Sequence, residues 1–145
     1  MDPARTVPAA TRTLVGVGVV VHRADGLVLV GKRRAEPGAP LAVPGGKPEA
    51  GESVEECAVR ELAEETGIVL DRSGVRTFAS VLVPGDEVSW VVAGVEAFAP
   101  GPADGAEPRE LEPDKFGSFA WIDPASPPGD LFPATAALLE RLPAR

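Results

Sequence analysis

The chain has no tyrosine, one cysteine and one histidine among its 145 residues. A lone thiol closes no internal disulfide, and Cys57 has no second Cys or His nearby with which to share a metal, so it reads as a small apolar side chain within a helix. His22, in a strand-like stretch, offers neither a metal cluster nor a triad and is read as structural or surface. No run of eighteen apolar residues occurs, and Met1 to Pro8 lacks an apolar stretch, so neither a membrane span nor a signal peptide is expected and the chain should be cytoplasmic. An excess of positive charge is missing as well. Lys and Arg number 14 against 22 Asp and Glu, and the net charge of −8 argues against a nucleic-acid polymer as partner.

What is present suits a small enzyme. A hydrophobic content of 44% supplies a core for one domain over residues 1–145, with flexible tails at about 1–12 and 143–145. Thr13 to Val21 and Gly26 to Val30 are β-branched runs around an Ala24-Asp25 turn and predict a hairpin, and Leu41-Ala42-Val43 leads into a Pro44-Gly45-Gly46-Lys47 turn. Val75 to Val83 and Val88 to Phe98 predict strands around Pro84-Gly85-Asp86, Ala99 to Pro113 a loop, and Phe116 to Ile122 a late strand. Ala134 to Leu142 has helical spacing after Pro133, a residue suited to a first turn. Strands interleaved with one internal and one terminal helix point to an α/β sandwich with a mixed sheet.

The chemistry concentrates in GKPEAGESVEECAVRELAEETGI, Gly46 to Ile68. Ser53 with Glu56 is a capping box, so a helix should begin at Val54; Gly67 suits its left-handed end, which places the helix over Val54 to Thr66. Glu61, Glu64 and Glu65 then project on one side within reach of a common point. Like charges so placed repel unless a cation neutralises them, and clustered carboxylates are what hard divalent ions bind. Ala58, Val59, Leu62 and Ala63 form the opposite, apolar strip that would pack on a sheet. The glycines of the preceding turn would let backbone approach a ligand closely. Lys32-Arg33-Arg34 after a strand, and Lys47 in the turn, are candidate phosphate contacts; a phosphate-rich ligand is compatible with an acidic chain once Mg2+ reverses the local sign.

The segment Gly46 to Ile68 fits the pattern G, five of any, E, seven of any, R-E-U-x-E-E-x-G-U, with Leu62 and Ile68 at the bulky apolar U positions, and thereby resembles the Nudix box. Over nearly its whole length the chain is similar to Nudix hydrolases, nearest to MutT-like nucleoside triphosphate diphosphatases. Gly16 to Val21, Gly31 to Arg34, Leu41 to Gly46, Glu107 to Lys115, and Trp121 before Leu131-Phe132 carry the wider likeness. The resemblance implies a Nudix-type α/β/α sandwich in which Glu61, Glu64 and Glu65, with the carbonyl of Gly45, hold Mg2+, or Mn2+ in its place, with Glu112 as a further candidate ligand. Arg60 counts with the catalytic set, while Arg60 and Glu52 would mainly tie the loop to the helix; Gly46, Glu52 and Gly67 are structural members of the motif. The general base stays open between Glu61, Glu65 and, outside the box, Glu112 and Glu110.

Such a site implies in-line displacement at phosphorus in a pyrophosphate linkage, giving monophosphate and pyrophosphate from a nucleoside triphosphate or modified nucleotide. Lys32, Arg33 and Lys47 would meet phosphate. Among Phe78, Trp90, Phe116, Trp121 and Phe132, the substrate contacts chosen are Phe132, in a segment corresponding to a base-lining one, and Trp90. Pro84, sixteen residues past Ile68, matches a proline of ADP-ribose-cleaving relatives and keeps ADP-ribose or a nucleotide sugar as the rival substrate. Dinucleoside polyphosphate cleavage is disfavoured by the absence of tyrosine. A catalytically silent nucleotide-binding regulator on the same fold is the reading of another class; the intact box speaks against it. The partner expected is a small nucleotide, with no membrane, and a homodimer is left open.

Overall fold

The computed structural model describes residues 12–99 and 107–144. Seven strands, β1 (Arg12–His22), β2 (Val28–Arg33), β3 (Leu41–Ala42), β4 (Gly45–Gly46), β5 (Val75–Val83), β6 (Val88–Phe98) and β7 (Phe116–Ile122), combine with α1 (Val54–Thr66) and α2 (Pro133–Leu139). Arg72–Gly74 adds one 3-10 turn that the sequence reading does not contain. Of the expected tails, residues 1–11 and 145 lie outside the described residues, as do 100–106 of the expected loop, while Arg12 already pairs with Val88.

The sheet runs β3-β2-β1-β6-β5, with β7 on the other edge of β2 and β4 on β1. It is mixed: β1 lies parallel to β6 from Arg12 beside Val88 to His22 beside Phe98, and the other pairings are antiparallel. The β1–β2 hairpin forms as expected but opens after the pair His22 and Val28. Residues 41–46 wedge in there. β3 takes the edge of β2 at Gly31 and Lys32, and β4 takes the edge of β1 at Val17 and Gly18.

Side chains of β1 divide by the strand's two-residue period. Val17, Val19 and Val21 join Ala58, Leu62 and Ile68 beneath α1, whereas Val20 joins Leu138 beneath α2. The result is the three-layer α/β/α sandwich. Gly18 and Gly94 face each other across β1 and β6, and a Cβ on either would come within 2.6 and 2.7 Å of a Leu138 methyl. This bare strip of sheet is the seat of α2, which runs from Pro133 to Leu139 rather than onward to Leu142.

Helix α1 has the expected ends. Ser53 Oγ accepts the Glu56 amide at 3.0 Å, Glu56 Oε1 accepts the Ser53 amide at 3.0 Å, and Gly67 closes the helix at φ 77°. Its buried strip is rotated from the expected one: Cys57, Ala58, Leu62 and Thr66 are buried, while Val59 and Ala63 are half-exposed. Burial of Thr66 is tolerated because its hydroxyl donates to Leu62 O at 2.7 Å and accepts from Ile68 N at 3.1 Å. Among the described residues no helix is long and apolar enough to cross a membrane.

Burial pushes the Cys57 thiol up to about 12, with the Glu52 charge acting in the same direction. Since the thiolate is the nucleophile, native protein at pH 8 should stay unmodified by iodoacetamide under conditions that alkylate it fully in guanidinium chloride. Mass spectrometry reads the outcome, and rapid native alkylation would contradict the buried position.

Candidate active site

The wedge of residues 41–46 builds one side of the site. Gly45 lies so close to β1 that a Cβ would strike the Val17 carbonyl, and Gly46 lies against the Glu61 carboxylate. The glycines therefore serve approach to a neighbouring strand and to a carboxylate, where the sequence reading had them approach a ligand from a turn. Val19 N donates to Pro44 O at 2.8 Å and fixes the register.

Arg60 ties this segment to α1. Its Nε and Nη2 donate to Glu52 Oε2 and Oε1 at 2.7 and 2.9 Å, and Nη2 also reaches Lys47 O at 3.1 Å. Nη1 donates to Glu61 Oε1 at 2.7 Å and to Glu64 Oε2 at 3.3 Å. The guanidinium beside Glu52 holds that carboxyl down at about 2. Glu61 is raised, chiefly by burial, with Arg60 opposing.

Glu65 is half-buried and its Oε1 accepts the Gly45 amide at 2.8 Å. Burial raises its carboxyl to about 8 against that hydrogen bond, and Glu61 and Glu112 add to the rise. The expected common point of three carboxylates is accordingly not formed: among the described residues no three acidic, His or Cys side chains converge in ligating geometry. Arg60 is bonded to Glu61 and Glu64, and the Gly45 amide to Glu65. The donors still suit a hard divalent cation, since all are carboxylate oxygens and the charges of Glu61, Glu64 and Glu112 are felt among Glu61 and Glu65.

A cavity of about 540 Å3 opens between this segment, the α2 face of the sheet and the start of α2. Trp90, Val83 and Phe132 contribute to its apolar wall, and Glu65, Glu112 and Lys47 also line it. The Arg33 guanidinium carbon lies 4.0 Å from the centre of the Phe132 ring, and Nη2 donates to Glu36 Oε1 at 3.3 Å. Phe132 is stitched to the wedge: Leu41 N donates to Asp130 O at 2.9 Å, Phe132 N to Leu41 O at 2.7 Å, and Val43 N to Thr135 Oγ1 at 3.0 Å.

Lys32 is exposed and does not line the cavity, because adjacent strand residues point to opposite faces and Arg33 takes the inner one. Arg34 is not free for phosphate either; it binds the Glu110 carboxylate, Pro113 O and Ser118 Oγ. That engagement takes Glu110 away from the cavity, which Glu112 does line. Phe116 lines it too, whereas Phe78 and Trp121 pack against the two cores. Pro84 opens the β5–β6 turn and is not a lining residue. His22 is 6% exposed, 3.1 Å from Glu96 through Nε2, and outside the cavity. Sequence reasoning missed Lys115, Thr135 and Glu36 as lining residues. A signal for Lys115 existed in its spacing of three from Glu112 in a proline-containing turn.

Residues 12–142 match the NUDIX domain family. A solved MutT NUDIX hydrolase from Burkholderia pseudomallei is 32% identical, covering 91% of this chain and 99% of its own, with a TM-score of 0.78. The ORF135 protein of E. coli is 25% identical, with coverage of 91% and 89% and a TM-score of 0.68. A MutT protein from Methanosarcina mazei, at 17% identity, coverage of 90% and 93% and a TM-score of 0.72, shares the fold.

Two variants test the geometry. Gly45→Ala should cost about 1–3 kcal/mol or more in urea unfolding, because rigid backbone must give way, while Gly46→Ala, which only displaces the end of Glu61, should cost less. For Glu52, depressed from an ordinary 4.5 to about 2, the linked stability is present above pH 4.5 and lost as pH falls toward 2. In metal-free buffer the urea midpoint of Glu52→Gln should therefore fall less steeply across that window than that of the wild type.

Proposed function

The chain belongs to the Nudix family of hydrolases, and from that membership we propose that it is a Mg2+-dependent diphosphatase that cleaves a nucleoside triphosphate, or a modified nucleotide, to monophosphate and pyrophosphate. The observation that carries this reading is the position of Glu65, a carboxylate of α1 that also lines the cavity. Acidic oxygens and an apolar-walled recess of about 540 Å3 thus share one boundary, and a ligand with a phosphate end and a base end spans it.

Glu61, Glu64 and Glu65, with the Gly45 carbonyl and Glu112, would hold Mg2+ or Mn2+, which when bound neutralises charge on phosphate oxygens and acidifies an attacking water. The chain's own residues supply the rest. Arg60 fixes Glu61 and Glu64 relative to the Lys47 carbonyl, so that the carboxylates are positioned by a planar fork. Lys47 and Arg33 place positive charge on the lining, where phosphate oxygens need it. Trp90 and Phe132 offer aromatic faces for a base, and the apolar wall around them keeps water from that part of the ligand.

A panel of nucleoside triphosphates, oxidised nucleotides, ADP-ribose and nucleotide sugars, incubated with Mg2+ and separated by chromatography, tests the substrate. Monophosphate and pyrophosphate should arise from triphosphates; turnover of ADP-ribose alone would sink the reading. Glu64→Gln and Glu65→Gln should each lose at least about 10- to 100-fold in kcat/KM, and a variant with full activity would remove that residue from the metal set.

A further inference from the structure

The segment from Glu110 to Ser118 contributes three residues to the cavity, Glu112, Lys115 and Phe116, the first two of them charged, and its backbone is held by contacts distant in sequence. Arg34 Nη1 donates to Glu110 Oε1 at 2.7 Å and to Pro113 O at 2.6 Å, and Nη2 donates to Ser118 Oγ at 2.8 Å. Glu110 Oε2 accepts the Ser118 amide at 3.0 Å, and Arg34 N donates to Lys115 O at 2.9 Å. Within the turn the amides of Lys115 and Phe116 both donate to Glu112 O at 2.9 Å. The space Arg34 occupies exists because residue 117 is glycine, where a Cβ would come within 2.6 Å of both Arg34 Nη1 and Glu110 Oε1. Ser118, at φ 51°, sits in the register shift where Ala120 pairs with Val30 but Gly117 with Lys32, a bulge in the strand next to the turn.

The clamp is specific to the cations it sorts. Arg34 is spent on the turn, and Arg33 is stacked on Phe132 and bonded to Glu36. Among the described residues the Lys115 ammonium has neither a hydrogen bond nor an ion pair, and it lines the cavity that Glu65 and Glu112 also line. A cation left uncommitted beside the acidic end of a cavity is disposed for an anionic oxygen of the ligand.

The geometry points to Lys115 as a phosphate-binding residue for the substrate, with Arg34 as the positioning residue that aims it. This rests on the reading of the site as one for phosphoanhydrides. Lys115 meets one phosphoryl group at the point where Glu112 also enters, and Arg34 acts only through the turn. The clamp separates the two neighbouring arginines by function: Arg33 belongs to the cavity wall and Arg34 to the turn behind it.

The test uses the whole chain with saturating Mg2+ and two probes, inorganic pyrophosphate and a nucleoside monophosphate, titrated by calorimetry, together with KM and kcat for the best triphosphate of the panel. Lys115→Met should weaken one of the two probes by roughly 10-fold or more and raise KM more than it lowers kcat. Lys115→Arg should restore most of that affinity, and neither variant should shift the thermal midpoint of the ligand-free protein. Arg34→Met should weaken the same probe, and the double variant Arg34→Met with Lys115→Met should be no weaker for it than Lys115→Met alone. Unchanged affinity for both probes in Lys115→Met overturns the proposal, and losses that multiply in the double variant overturn the role of Arg34. If the wild type turns over no triphosphate while Lys115→Met still loses pyrophosphate, the substrate reading falls and the phosphate contact stands.

Discussion

A planar guanidinium set among carboxylates holds the site together. Arg60 lies within 4 Å of Glu49, Glu52, Glu61 and Glu64, and the last three are hydrogen-bonded to it. In a chain of net charge −8, acidic side chains gathered on one turn and one helix would otherwise push apart. The fork geometry lets Nε and Nη2 engage both oxygens of Glu52 while Nη1 faces the helix, which a lysine could not do. Because the same group also reaches the Lys47 carbonyl, one side chain ties the loop before α1 to the carboxylates of the helix. The contact of Gly46 with Glu61 and the amide of Gly45 with Glu65 then follow from that alignment.

Where the sequence carries strong punctuation, the structure matches the reading. Ser53 and Gly67 bound α1, Pro84-Gly85-Asp86 separates β5 from β6, and the Phe116–Ile122 strand keeps its expected ends. The wedge of residues 41–46 was legible only as a turn, since strands of two residues carry no periodicity and their pairing is set by β1 and β2. The rotation of the α1 strip from Val59 and Ala63 to Cys57 and Thr66 was hidden because it depends on a hydroxyl finding the Leu62 carbonyl, a detail that apolar counting treats as polar surface.

The site divides along the same line. Box residues are close in sequence, and their mutual placement follows from helical spacing, but their partners do not: Arg60 is bonded to Glu61 and Glu64, and the Gly45 amide to Glu65. The neighbours Lys32, Arg33 and Arg34 look alike in composition, yet one is solvated, one is a wall and one is a clamp. Their assignment depends on partners as distant as Glu110, 76 residues from Arg34, and on Phe132. Long-range contacts of that kind leave no local signature in composition or period.

The stitches between Leu41 and the Asp130 to Phe132 segment bear on how this enzyme family member can change. Helix α2 has seven residues, too few to be stable alone, and it keeps its place through Leu138 and through hydrogen bonds to residues 41 and 43. The aromatic wall at Phe132 and the glycine segment at Gly45 are therefore two ends of one short lever. A substitution at Phe132 that moved its backbone would be passed through the Leu41 hydrogen bonds to the segment that carries Gly45. On the function proposed above, the choice of ligand and the placement of the acidic segment would therefore be coupled traits, joined through residues 41 and 43.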